Sequence, residues 1–258
     1  MKQEIRRAAI VTGASSGIGL AVSRKLAAQG YDLVVNGRNE DRLHEAAVRL
    51  EEFGGRVIAV AGDASRTEVL TECVERCAAE LGAAPAIGVV NAGRGLPGTV
   101  MTSDESQWAE LLEVNVLGAL RQMRILAGAM CVEAEAAPAV PRRSYDLVVL
   151  GSTIGRNVSP FNSVYGATKF AVHGASEGLR RELGPKGIRV SLIEPGIVAS
   201  SFQANAGYDP EWFRSYQEQI GPILTPDDIA DLVQFVVSRP AHIHLDNVSI
   251  RPTRQDYP

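Results

Sequence analysis

The sequence predicts a doubly wound α/β fold, a seven-stranded parallel sheet in the order 3-2-1-4-5-6-7 with helices on both faces. Three observations lead there. Short apolar, β-rich runs alternate with amphipathic stretches along all 258 residues. The runs are nearly continuous in apolar residues, as strands covered on both faces must be. The first run passes into a glycine-rich turn and then into a helix. This alternation continues without a break in composition, so a single Rossmann-like domain over residues 1–258 is expected.

In chain order, the strand Ala-Ala-Ile-Val at 8–11 leads to an amphipathic helix at 18–29, ended by Gly30. Leu33-Val-Val35 is the second strand, and the helix at 40–53 after it stops at Gly54-Gly55. Strand 57–61 pairs with helix 67–81, and strand 87–90 with a long helix at 106–130. Strand 146–150 precedes the helix at 164–183, which runs to Gly184, where a left-handed cap is expected. Strand 189–193, helix 227–238 and a last strand at 248–251 complete the chain. Two segments break the rhythm. The Ala/Pro-rich insertion at 133–144 is long for a helix-to-strand connection and is expected at the surface or an interface, on the sheet edge away from ligands. The stretch 197–224 follows the sixth strand on the ligand side, and its Phe202, Tyr208, Trp212, Phe213 and Tyr216 suit either a substrate lid or a packed helical flap.

A formal net charge of −4 gives no basic footprint for nucleic acid. No apolar run approaches the roughly 18 residues of a membrane span, and the start lacks a signal-peptide core, so a cytoplasmic protein is expected. Cys73 and Cys77 fall i,i+4 on one helix, a poor geometry for a disulfide, and read as small semi-buried thiols; Cys131 has no companion. His242 and His244 alternate without a third ligand, so no metal is expected.

Chemistry concentrates in three places. In Thr12-Gly-Ala-Ser-Ser-Gly-Ile-Gly19, Gly13 permits a tight turn, Gly17 lets the backbone approach a pyrophosphate and Gly19 lets the helix pack closely. The helix N-terminus near Ile18 offers free N–H groups, and Ser15 and Ser16 add hydroxyls. At the end of the second strand, where an acid would take a ribose 2′-hydroxyl, stands Gly37, followed by Arg38. A missing carboxylate beside a guanidinium suits a 2′-phosphate, so NADP(H) is the expected cofactor. The alternative is a solvated Arg38 near Glu40 and Asp41, and the glycine loop itself supplies no Lys or Arg as a second clamp. Finally, Tyr165-Gly-Ala-Thr-Lys169 places a phenol and an ammonium one turn apart on a helix face, with the ammonium drawing the phenol toward neutral pH. Ser152 sits thirteen residues upstream, just past the fifth strand. Together these groups read as hydride transfer between a nicotinamide and a small carbonyl or secondary alcohol.

With Asp63-Ala64, Asn91-Ala-Gly93 and Pro195-Gly196 added in order, the chain resembles the short-chain dehydrogenase/reductase family over nearly its whole length. The resemblance implies a catalytic set of Asn115, Ser152, Tyr165 and Lys169. In that set Asn115 disrupts its helix and holds a water linking Lys169 to solvent; read without the resemblance, Asn115 is a helix-surface amide. Cofactor contacts implied in the same way are Asp63 and Ala64 near the adenine, Asn91, Ala92 and Gly93 along the ribose, Tyr165 with Lys169, and Pro195, Gly196 and Val198 at the nicotinamide. Two positions depart from the family pattern: Val90 for the usual Asn, and Gly151 for the usual Ser, which is expected to loosen that strand end. The C-terminal half, including residues 248–253, looks like that of members acting on small hydroxy acids or related metabolites. Members commonly assemble through the helices expected at 106–130 and 164–183, so a homotetramer or homodimer is implied. Phe170, Ala171, Val172, Ala175 and Leu179 spread over more than one stripe, which fits. The three residues between Tyr165 and Lys169 favour carbonyl over enoyl reduction. A non-catalytic dinucleotide-sensing or scaffold protein is the alternative, opposed by the complete tetrad. Arg94, Leu96, Ile154, Arg156, Asn157 and Phe161 are candidate pocket residues, the two arginines either binding an acidic substrate or standing as loop charges.

Overall fold

A computed structural model describes residues 7–136, 144–157 and 161–256. The strands β1 (Ala8–Val11), β2 (Asp32–Gly37), β3 (Val57–Ala61), β4 (Ile87–Val90), β5 (Tyr145–Leu150), β6 (Ile188–Pro195) and β7 (Asn247–Ile250) form one parallel sheet. Its order is β3-β2-β1-β4-β5-β6-β7, as the sequence predicts. Ala9 and Val11 of β1 enter one apolar core and Ala8 and Ile10 the other; in β5, Val148 and Leu150 oppose Leu147 and Val149. A strand covered on both faces needs apolar side chains at every position, which is why these runs do not alternate.

Nine α-helices lie within the described residues: α1 (Gly17–Ala28), α2 (Glu40–Glu51), α3 (Thr67–Arg76), α4 (Trp108–Leu112), α5 (Ala119–Ala136), α6 (Ser163–Leu183), α7 (Phe202–Ala206), α8 (Pro210–Ile220) and α9 (Pro226–Val237). Val22 and Leu26 of α1, Leu43 and Leu50 of α2 and Ile229 and Val233 of α9 pack one face of the sheet. Met123 and Leu126 of α5 and Val172 of α6 pack the other, with Cys73 of α3. Each such leucine, removed from water, contributes about 1.5–3 kcal/mol. Burial pushes the Cys73 and Cys77 thiols up to about 12, so both are inert packing groups with no disulfide.

The long helix expected at 106–130 is divided. A 3₁₀ turn at Glu105–Gln107 leads into α4, and a wide π turn at Glu113–Gly118 separates α4 from α5. The π turn admits an extra residue into the helical rise and turns Asn115 inward, where it is 3% exposed. Helix α5 then runs to Ala136, so residues 133–136 of the expected insertion are helical, and 137–143 lie outside the described residues. Gly184 keeps a right-handed φ of −53° because the chain makes one more tight turn, Gly184–Lys186, with Pro185 in its second position. The left-handed residue is Gly187, φ 78°.

Polar groups anchor the amino edge of the sheet. Asp146 and Arg189 are register partners in β5 and β6, both buried, with Arg189 Nε donating to Asp146 Oδ1 at 2.7 Å. Burial drives the Asp146 carboxyl up and the guanidinium opposes it. Arg189 also donates to the carbonyls of Val237 and Ile243, closing the end of α9. Across the sheet, at the carboxyl edge, the segment 197–224 carries α7 and α8. Its ends meet in a parallel bridge between Val198 and Leu224, with Ala199 N donating to Leu224 O at 2.7 Å.

Among the described residues no group of three or more His, Cys, Asp or Glu side chains is placed to hold a metal ion, and no helix is long and apolar enough to cross a membrane.

Candidate active site

β1 lies between β2 and β4, so the connections leaving these strands diverge above their carboxyl ends. Ligands of doubly wound sheets sit over that divergence. A cavity of about 1100 Å³ occupies the position here.

One wall is the β1–α1 turn. Gly13 and Gly17 have φ of 63° and 55°, a region L side chains avoid. Gly19 is buried behind the turn and does not line the cavity; a Cβ there would lie 2.2 Å from Gly13 O. Asn91 braces the same turn, its Nδ2 donating to Thr12 O at 2.9 Å and Gly13 O at 3.2 Å. Thr12 Oγ1 accepts from the N–H groups of Asn91 and Ala92 at 3.0 and 3.1 Å. At the start of α1 the Ser16 side chain makes no cap bond and no acid stands in the first turn, which leaves the positive helix end to a ligand.

Arg38 and Arg42 also line the cavity, with no acidic partner among the described residues. Asn39 stands between them as the cap of α2, its side chain accepting from Arg42 N at 2.9 Å. The sequence reading missed Arg42, which looks like any exposed helix residue until Asn39 is recognised as the cap three residues before it. Ser15, Ile18, Asp63, Ala64, Gly93, Pro195, Gly196 and Val198 also line this wall. Gln255 Oε1 accepts from Ile197 N at 2.9 Å and so holds the turn after Pro195 from the C-terminal segment.

Ser152, Tyr165 and Lys169 line the cavity together. The Ser152 hydroxyl stands near enough to the Tyr165 phenol to act on its ionisation. Lys169 Nζ sits 5.8 Å from the Tyr165 ring centroid and donates to Leu150 O at 3.0 Å. Burial raises the phenol well above its ordinary value, the nearby Tyr208 adds to this, and Ser152 opposes it. The expected lowering by the Lys169 ammonium does not set this phenol: burial does, and it keeps Tyr165 protonated. The same burial lowers Lys169 to about 8. Asn115 lies behind the wall instead of on it. Its Oδ1 accepts from Arg94 N at 2.8 Å, and its Nδ2 donates to Arg94 O at 2.8 Å and to Thr168 Oγ1 at 3.1 Å, tying the loop after β4 to α6.

All five aromatics of 197–224 face the cavity. Phe202 lies against Tyr165, ring centroids 5.8 Å apart. Trp212 stacks on Tyr216 at 5.6 Å and meets Phe161 at 6.0 Å. Of the remaining candidate pocket residues Ile154 and Arg94 line the wall, whereas Arg156, Asn157 and the buried Leu96 do not. Both arginines have carboxylate partners: Arg94 pairs with Glu110, and Arg156 donates to the fully buried Glu194 at 2.7 Å.

Comparison with known proteins agrees with this geometry. The family model described as short chain dehydrogenase matches residues 7–211. Dehydrogenase/reductase SDR family member 11 of Homo sapiens is 34% identical over 96% of this chain and 95% of its own. L-Sorbose reductase from Gluconobacter frateurii, solved with NADPH and L-sorbose, superposes with a TM-score of 0.82 at 28% identity over all of both chains. A short chain dehydrogenase from Mycobacterium paratuberculosis bound to NAD shares the fold, TM-score 0.82 at 23% identity over 99% of this chain and all of that one. With its glycine turn, its Tyr–Lys pair and its strand order, this chain belongs to the short-chain dehydrogenase/reductase family, oxidoreductases that work with a nicotinamide dinucleotide.

Proposed function

We propose that this protein is an NADP(H)-dependent carbonyl reductase or alcohol dehydrogenase, with Tyr165 as general acid and base, acting on an uncharged carbonyl compound or secondary alcohol that carries an apolar, ring-sized group. The observation that carries the reading is the Tyr165 phenol, beside Ser152 and one turn from Lys169, inside a cavity that also holds Arg38 and Arg42.

A bound nicotinamide dinucleotide supplies or receives the hydride. The residues of the chain handle the oxygen. Ser152 donates to the substrate oxygen and fixes its direction. Tyr165 gives its proton to the alkoxide as charge develops, and takes it back in the reverse direction. Lys169 keeps a positive charge near the phenolate that Tyr165 becomes. Asn115 holds the loop after β4 against α6 and so sets the depth of the pocket. Arg38 and Arg42 bind the 2′-phosphate, and no carboxylate stands at Gly37 to repel it.

The pairing of Arg94 and Arg156 supports an uncharged substrate, and the wall of Phe202, Trp212 and Tyr216 supports an apolar one. On this reading residues 1–258 act as one catalytic unit with 197–224 as its substrate lid, and the protein is a homo-oligomer. Support for assembly comes from Leu112, Leu117, Leu120 and Phe170, each more than two-fifths exposed on or between α4, α5 and α6. Of the five residues expected to mark this surface, Val172, Ala175 and Leu179 instead pack on the chain's own core.

The test is steady-state NADPH oxidation against a panel of uncharged aryl and cyclic ketones, matched keto acids and sugars. Turnover confined to the keto acids would overturn the substrate class; no turnover with any carbonyl compound would overturn the function.

A further inference from the structure

Behind Ser152 lies a buried charged group that the scheme above does not use. Glu194, in β6, has no exposed surface. Both its oxygens accept from Arg156 Nε at 2.7 Å, and Oε2 also accepts from Ser249 Oγ. Its Oε1 lies 3.8 Å from Nδ1 of His173. On the other side of the ring, His173 Nε2 accepts a hydrogen bond from the backbone N–H of Ser152 at 3.3 Å. His173 continues the helix face of Tyr165 and Lys169, one more turn along α6.

Two glycines make room for this ring. A Cβ at Gly151 would lie 2.4 Å from His173 Nε2, and one at Gly155 would lie 2.4 Å from Cε1. Gly151, the departure from the family pattern expected to loosen the strand end, instead leaves space for a side chain that grips it.

We propose that His173 is a positioning residue for the reaction: a neutral imidazole, oriented by ionised Glu194, that holds the backbone of Ser152 so that its hydroxyl meets Tyr165. The tautomer follows from the hydrogen bonds. Nε2 faces a donor and therefore carries no hydrogen, so the ring's single proton sits on Nδ1, toward the carboxylate. Burial favours the neutral ring, as do the charges of Lys169 and Arg156, against the opposing pull of Glu194, and His173 is lowered to about 4. Burial alone would raise Glu194, but Arg156 and Ser249 outweigh it and keep the carboxyl low.

This inference rests on the roles given above to Ser152 and Tyr165, and the experiment separates the two. In His173→Leu the ring volume is roughly kept and the acceptor lost; kcat should fall about 10–100-fold, the scale of misplaced reacting groups, with the Kd for NADPH unchanged. His173→Gln, whose amide oxygen can accept from Ser152 N, should recover most of the loss. Glu194→Gln should resemble His173→Leu, because an amide can donate to Nδ1 and leave the ring proton on Nε2, facing the Ser152 N–H. Nitrogen NMR of the histidine rings at neutral pH, with His173→Gln assigning the signal, should show a protonated Nδ1 and a bare Nε2. Wild-type kcat in His173→Leu, or a charged or Nε2-protonated ring, would overturn the proposal, provided Ser152→Ala is impaired. If Ser152→Ala keeps full kcat, the assigned function fails first. Should His173→Leu not fold, Glu194→Gln and the NMR measurement decide the matter.

Discussion

The ring of Phe202 lies on the ring of Tyr165, centroids 5.8 Å apart and tilted by 58°. A side chain from the segment 197–224 is thus the immediate cover of the proposed proton donor. Aromatic pairs of this kind contribute about 0.5–1.5 kcal/mol beyond their area. Phe202→Ala should raise the KM for the carbonyl substrate about 2–10-fold and leave the Kd for NADPH unchanged. A changed NADPH affinity with an unchanged substrate KM would place Phe202 at the cofactor.

Tyr165→Phe removes one oxygen and keeps the packing against Phe202. Turnover should fall ~10²–10⁴-fold, the contribution of general acid catalysis, while NADPH binding, followed by fluorescence, stays intact. Wild-type turnover would show that another group supplies the proton.

Lys169 titrates at about 8 in the folded protein against an ordinary 10.5. Carbonyl reduction should therefore weaken as pH rises through about 8 and the ammonium is lost, and Lys169→Arg should move that limb upward. Stability has the opposite dependence. Between about 8 and 10.5 the unfolded chain binds a proton that the folded chain has released, so this site favours the folded state progressively as pH rises. Urea midpoints of wild type and Lys169→Met, compared across that window, should converge as the burial penalty disappears. A constant difference would mean that Lys169 is not desolvated.

Arg38 and Arg42 flank the Asn39 cap of α2. Charge-assisted bonds contribute roughly 1.5–3 kcal/mol, so Arg38→Leu should cut the preference for NADPH over NADH ~10–100-fold, and Arg42→Leu should lower it further. Gly37→Asp is the less clean test, because its Cβ would sit 3.1 Å from Ser15. Better kcat/KM with NADH in the wild type would make both arginines solvent charges.

Phe170 is 43% exposed on α6, where Val172 is buried. Phe170→Asp should convert the expected homo-oligomer to smaller species in sedimentation. A wild-type monomer at micromolar concentration would leave this face without a partner.

The limits of β1, β3 and β4 were legible to the residue because each strand is apolar throughout and bounded by polar or turn residues. The Tyr165–Lys169 spacing and the glycine turn were equally plain, whereas Arg38 was open to a second reading as a solvated charge. Asn115 was not: the 3.6-residue pattern persists on both sides of it, and only the packing of Arg94 and Thr168 around its amide shows why the helix widens there. Gly151 was read as a loose end because a glycine's reason lies in what approaches it, here a ring 22 residues away. Arg42 was hidden for a similar cause, since cap geometry and not sequence distance brings it beside Arg38.

The bridge between Val198 and Leu224 has a consequence for how such a protein can change. It closes the segment into a loop whose two feet stand side by side just past β6, while Lys169 is bonded to Leu150 and Ser152 to His173, outside that loop. Replacing what lies between the feet alters neither the chain path through β6 and α9 nor the spacing of the reacting groups, and the entropy of a longer closed loop grows only slowly with its length. On the proposed reading of this segment as a substrate lid, selection can therefore exchange the aromatic wall as a cassette and leave the reacting groups in place.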